Sequence, residues 1–225
     1  MSLRDTWVKA KATSKAEFGK ASKAKKDELA RKAEGGNAAA KAKWVENALG
    51  EMGLADTEEP EKFFRFKADF GPSLDKVEKN WDGYAKVLAM RAKITPKVLM
   101  ADPKLAAQAA AAMKDTPSVA KLLTMIATDT IPESVKGNPA LMKKTQDTLA
   151  MHDIATRMIP PPVAFHDAML AAIAASDEYL KLIQASYKRW PDAKPDFRKT
   201  LTDALNDISK TIGDRIKAAE QGSAG

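Results

Sequence analysis

The chain has 225 residues, no cysteine, and a formal charge of +7 from 37 basic and 30 acidic side chains. These values exclude a disulfide framework, thiolate metal ligation and a cysteine nucleophile, and a hydrophobic fraction of 44% excludes a wholly disordered chain. The charge is local: residues 1–45 carry 12 Lys and Arg against 5 Asp and Glu, and the other 180 residues carry 25 of each. Its field therefore acts at one end of the chain.

The pattern predicts helices nearly throughout. Ala, Lys, Leu, Glu and Met abound, and no stretch of alternating β-branched residues marks a strand. The first helix is expected over about 3–33, broken by Gly35-Gly36, and the second over about 37–50. A short aromatic helix at about 60–70 is expected to stop at Gly71-Pro72, and the next to run over about 73–93. Short helices are expected at about 103–114 and 117–128. Three long ones follow at about 139–159, 162–190 and 196–220, separated by Pro160-Pro161-Pro162 and by the Pro191–Pro195 turn. Thr95-Pro96, Asp102-Pro103, Thr116-Pro117 and Asn138-Pro139 each put a capping residue before a proline suited to a first helical turn.

Three helices carry apolar stripes at spacings of three and four. They are Leu74, Val77, Trp81, Tyr84 and Leu88; Leu180, Ile183, Tyr187 and Trp190; and Phe197, Leu201, Leu205, Ile208, Ile212 and Ile216. Such seams need partner helices, and the short turn between the last two helices favours an antiparallel hairpin. The fold class expected is all-α: a multi-helix bundle with long antiparallel amphipathic helices, coiled-coil-like seams and a basic N-terminal helix. The expected division is a basic, alanine- and lysine-rich arm at 1–53, a bundle at 54–220 and a flexible tail at 221–225.

On a helical wheel Leu3, Trp7, Ala10, Phe18, Ala21 and Leu29 gather on one side of the first helix, and Lys9, Lys20, Lys23, Lys26 and Arg31 on the other. Lys11 and Lys25 intrude on the apolar side, Asp5 and Asp27 dilute the basic one, and Gly19 costs about 1 kcal/mol relative to alanine. Spaced lysines suit phosphates, an acidic protein groove or an anionic membrane, into which Trp7 and Phe18 would insert. Read as an arm, residues 1–35 should be separable from a bundle that folds without them; the alternative is a solvated, lysine-rich surface helix docked weakly on the bundle.

Phe63, Phe64, Phe66 and Phe70 interleave with Arg65 and Lys67. Aromatic and basic residues side by side suit a stacking platform, yet Phe63, Phe66 and Phe70 share one helical face as a core anchor would, leaving Phe64 to point elsewhere. The triplet Trp81-Asp82-Gly83 is similar to the turn motif of a family of small secreted helical hairpins. That family's secretion signal needs an acidic residue four after a tyrosine, and Tyr84, Tyr179 and Tyr187 are followed there by Leu88, Ile183 and Pro191. No family is assigned on three residues.

The two histidines precede aspartates, as His152-Asp153 and His166-Asp167, around the proline triplet. They are the candidates for a metal or proton-transfer site, with the alternative that they are core or capping residues. Leu149 and Val163 stand where a bundle di-metal site needs glutamate three residues before each histidine. Phosphate-binding glycine loops and the Gly-x-Ser-x-Gly elbow are also missing. The expectation is therefore a non-enzymatic helical interaction or assembly protein without cofactor. Its basic N-terminal segment, through Lys9, Lys20, Lys23, Lys26 and Arg31, meets nucleic acid or an acidic protein surface. A peripheral anionic-membrane module and a helical enzyme with a His-Asp site are the alternatives. Self-association is expected from the long seams. A cytoplasmic location is expected from the missing signal peptide and cysteines, with non-classical secretion left open, and no transmembrane segment is expected.

Overall fold

The structure is a computed structural model that describes residues 1–33, 35–51, 64–65, 70–113, 137–189 and 196–221. The fold is an all-α multi-helix bundle, with nine helices and no strand among the described residues. The helices are α1 (Leu3–Lys32), α2 (Ala38–Glu51), α3 (Phe70–Lys79), α4 (Trp81–Ala92), α5 (Pro96–Ala101), α6 (Pro103–Met113), α7 (Pro139–Met158), α8 (Val163–Arg189) and α9 (Phe197–Gln221). The chain forms two compact units, one of Met1–Lys79 with Asp167–Gly213 and one of Asn80–His166 with Asp214–Gly225.

In the first unit α1 begins with a reciprocal cap. Ser2 Oγ accepts the Asp5 amide at 3.0 Å, and the Asp5 carboxylate accepts the Ser2 amide at 3.2 Å. After α1 the chain passes through Gly35 at φ +77°, the left-handed region that glycine enters without a Cβ penalty. Asn37 Oδ1 then accepts the Ala40 amide at 2.9 Å and caps α2.

Trp7 meets the ring of Phe70, Arg4 pairs with Asp75, and the Leu3 amide donates to Glu78 at 3.0 Å. Residue numbers rise on one helix as they fall on the other, so α3 lies antiparallel to α1. Trp7 and Lys11 touch Tyr179 on α8, while Glu17 and Phe18 touch Thr200 and Phe197 on α9. The core holds Leu74, Val77, Tyr179, Ile183, Leu201, Leu205 and Ile208, all almost fully shielded from water.

At the α8–α9 end, Arg198 donates from Nη1 to the Ser186 carbonyl at 3.2 Å and lays its guanidinium 3.7 Å from the centre of the Tyr187 ring. Tyr187 thus leaves the seam in which its spacing placed it: it is exposed, and a cation covers one face.

In the second unit α7 packs against α4 and α6, and α5 against α6. The Tyr84 and Phe165 rings stack at 4.0 Å with 9° between planes, Trp81 sits edge-on to Phe165, and Arg215 lies over Trp81 at 5.9 Å. Arg91 is buried and donates from Nε to the Ile159 carbonyl at 2.7 Å.

Three of the four capping residues placed before prolines act as expected. Thr95 Oγ1 accepts the Val98 amide, Asp102 Oδ1 the Lys104 amide and Asn138 Oδ1 the Ala140 amide. Thr116-Pro117 and the helix expected at 117–128 lie outside the described residues, as does most of the aromatic helix at 60–70.

The helix expected over 73–93 is two helices. Asn80 separates α3 from α4 at φ −96° and ψ 3°, with no side-chain capping bond. Asparagine is a poor helix interior residue, and the stripe divides there: Leu74 and Val77 are buried in the first unit, Leu88 in the second. Gly71-Pro72 does not end a helix but lies in the first turn of α3, where a missing proline N–H costs nothing.

Candidate functional site: the basic face of the N-terminal helix

Helix α1 has an inner and an outer face, and its sequence sets both. Leu3, Trp7, Ala10, Ser14 and Leu29 are buried. The first four recur at spacings of four, three and four, the period of one helical face. Trp7 is 3% exposed, held between Phe70 and Tyr179 at ring-centroid distances of 4.9 and 4.7 Å. Phe18 is half-buried against Phe64 and Phe197. The helix is docked on its own unit through its first four turns and again at Leu29. The two aromatic residues that a membrane reading would insert both face protein.

Lys9, Lys20, Lys23, Lys26 and Arg31 are all exposed on the opposite side. Among the described residues no carboxylate pairs with Lys9, Lys20, Lys23 or Lys26; Arg31 donates from Nε to the Asp27 carbonyl at 3.3 Å. Two acids of the helix, Glu28 and Asp5, are engaged elsewhere, while Asp27 stays exposed on the basic side. Glu28 accepts from Lys32 at 2.6 Å and Lys25 at 3.1 Å, and these partners, Lys32 first, hold its carboxyl below the ordinary range. Asp5 is tied to the Ser2 cap. Four cations from Lys20 to Arg31 therefore lie within three turns, about 17 Å along the axis at about 1.5 Å per residue.

The two lysines that intrude on the apolar face are accommodated individually. Lys25 is taken up by Glu28. Lys11 is half-buried and donates from Nζ to the Tyr179 hydroxyl at 3.2 Å. Burial pushes the Lys11 ammonium below its ordinary pKa and the Tyr179 phenol above its own.

A lysine lowered on folding is penalised while charged, so its contribution is unfavourable below its folded pKa. That penalty lifts as pH rises towards the unfolded value of about 10.4. Lys11→Met is therefore expected to gain on the wild type at neutral pH, with the gap shrinking as pH climbs through the lowered Lys11 pKa. Urea unfolding midpoints across that range check it; a gap that stays constant or widens contradicts it.

Phe64 does not point away as a partner contact. It is 7% exposed and packs on Phe18 and Phe197 at 5.9 Å each, because the incoming α9 supplies a second ring. Phe63, Phe66 and Lys67 lie outside the described residues.

His152 and His166 are both exposed, which corrects their reading as core residues; their helices turn the alanines Ala155 and Ala168 inward instead. Asp153 pairs with Arg157 one turn on, at 3.1 Å. Among the described residues no group of three or more His, Asp or Glu is placed to hold a metal ion, so His152, Asp153, His166 and Asp167 do not assemble a centre. In the second unit an open groove of about 520 Å³ is lined by Ile94, Thr95, Lys143, Lys144, Asp147 and Met151. Among the described residues no single helix is long and apolar enough to cross a membrane.

Sequence reasoning passed over Trp44. It is 44% exposed on α2, beside exposed Lys43. The available signal was a lone aromatic in a helix otherwise rich in alanine, with lysines on either side of Ala42.

No family model, no curated protein and no solved structure matches the chain.

Proposed function

We propose that this is a non-enzymatic helical interaction protein whose basic N-terminal helix meets an anionic partner, nucleic acid in the first instance. One observation carries the reading: Lys9, Lys20, Lys23 and Lys26 are exposed with no carboxylate partner among the described residues, on a helix whose other face is anchored by Trp7. An anchored helix presents its cations without first having to order them, which lowers the cost of binding. Repeated lysines that release counterions give affinity without sequence preference.

Self-association belongs to the same reading. Leu170 and Ile173, one turn apart on α8, are each more than half exposed and give a second copy an apolar contact. A cytoplasmic location is also part of it, and separation of the protein with the membrane or extracellular fraction of its cells would remove it.

The test is a fluorescence-anisotropy titration of labelled nucleic acid over a salt series. Four or five neutralised phosphates, at about 0.7–0.9 each, predict a slope of log K against log salt of about −3 to −4.5. A slope near zero, or binding to anionic vesicles and not to nucleic acid, removes the reading. Sedimentation of the same samples as a monomer at high concentration removes the self-association.

A further inference from the structure

Three of the chain's four tryptophans fall among the described residues, and two of them have ring partners. Trp7 is enclosed by Phe70 and Tyr179, and Trp81 is half-buried against Phe165 and Tyr84 with Arg215 over its ring. Trp44 has neither ring nor cation partner among the described residues, and 44% of it faces water. It sits on α2, which packs against α1 and adds Lys41 and Lys43 to the basic N-terminal charge.

Its exposed neighbours one turn away are Ala40 and Asn47. Among the described residues of α2 they form no apolar patch that a headgroup boundary or a hydrophobic protein pocket would need. What remains is one flat indole among lysines and an amide, within the most cationic stretch of the chain.

We infer that Trp44 is a base-stacking platform and that the ligand of this N-terminal surface is single-stranded nucleic acid, an inference that rests on the anionic-partner reading above. Single strands are held by cations that track the phosphates and by aromatic rings on which unpaired bases lie, without preference for sequence. In a duplex both faces of every base are covered by neighbouring pairs, so an indole standing on a helix surface meets only groove edges and backbone. An acidic peptide would satisfy the lysines equally but has no planar group to match the ring.

The experiment compares a labelled oligo(dT), a duplex of equal length and poly-glutamate, each titrated with wild type, Trp44→Ala and Trp44→Phe. Because Trp44 is exposed, both variants should fold, and circular dichroism confirms that. Trp44→Ala should weaken oligo(dT) binding about tenfold, the loss of one stacked base, while duplex affinity and the salt slope stay unchanged. Trp44→Phe should recover most of the loss, and oligo(dT) should quench indole fluorescence in the wild type more than in either variant.

Oligo(dT) affinity that is the same for Trp44→Ala and wild type, or a duplex bound as tightly as oligo(dT), overturns the inference while salt-dependent binding keeps the basic face as a site. Binding of poly-glutamate alone overturns it and moves the partner to an acidic protein. Binding of none of the three overturns both readings.

Discussion

Trp7→Ala is expected to cost about 3–5 kcal/mol, the range for removing a large aromatic side chain from a packed interior. That is a large share of the about 5–15 kcal/mol that holds a typical domain folded. The ring is 3% exposed and sits edge-on to Phe70 and Tyr179; each such aromatic pair adds about 0.5–1.5 kcal/mol beyond the area it buries. Its removal also unseats the neighbourhood in which Lys11 reaches Tyr179 and Ser14 is fully buried. Trp7→Phe keeps part of both ring contacts and should lose less. Trp44→Ala, on the outer surface of α2, should stay within about 0.5 kcal/mol of wild type. Urea unfolding of the three variants measures the order. Equal midpoints for Trp7→Ala and wild type would mean that α1 is only loosely held.

Much of the helical layout was legible in the sequence because local chemistry decides it. Thr95, Asp102 and Asn138 cap the helices that follow them, and the termini expected for α1, α7, α8 and α9 agree with the observed ones to within about a residue. Where the reading missed, long-range packing decided. The stripe from Leu74 to Leu88 has the spacing of one helix, yet its halves are buried in different units and the chain breaks at Asn80. Six residues from Pro96 to Ala101 are too few to show a stripe, so the Thr95 cap was visible and α5 was not.

The candidate site divides in the same way. The wheel separates the inner Trp7 from the outer Lys20, Lys23 and Arg31, but it cannot supply Tyr179, a residue 168 positions away that receives Lys11. Phe64 is inside because Phe197 comes to meet it, a contact between residues far apart in sequence. The histidines are exposed because Ala155 and Ala168 are the inward residues of their helices, and alanine gives a wheel little contrast.

Reversing the outer charges of α1 should abolish function without touching the fold. Lys9, Lys20, Lys23 and Lys26 are exposed and make no ion pair among the described residues, so their replacement by glutamate breaks no contact there. Each reversal removes two charges, and four take the chain from +7 to −1. Affinity for nucleic acid should fall on the order of 100-fold at moderate salt, because four counterion-releasing contacts are lost and replaced by repulsion. The salt slope should flatten towards zero, while stability shifts by no more than about 1 kcal/mol, as for surface charges outside any network.

The most direct test is to titrate labelled oligo(dT) with the wild type and the K9E/K20E/K23E/K26E protein at one salt concentration, with thermal melts of both. Melting temperatures within about 4 °C of each other and a loss of affinity on the order of 100-fold in the variant are expected. Equal affinities of the two proteins, with both folded, would contradict it.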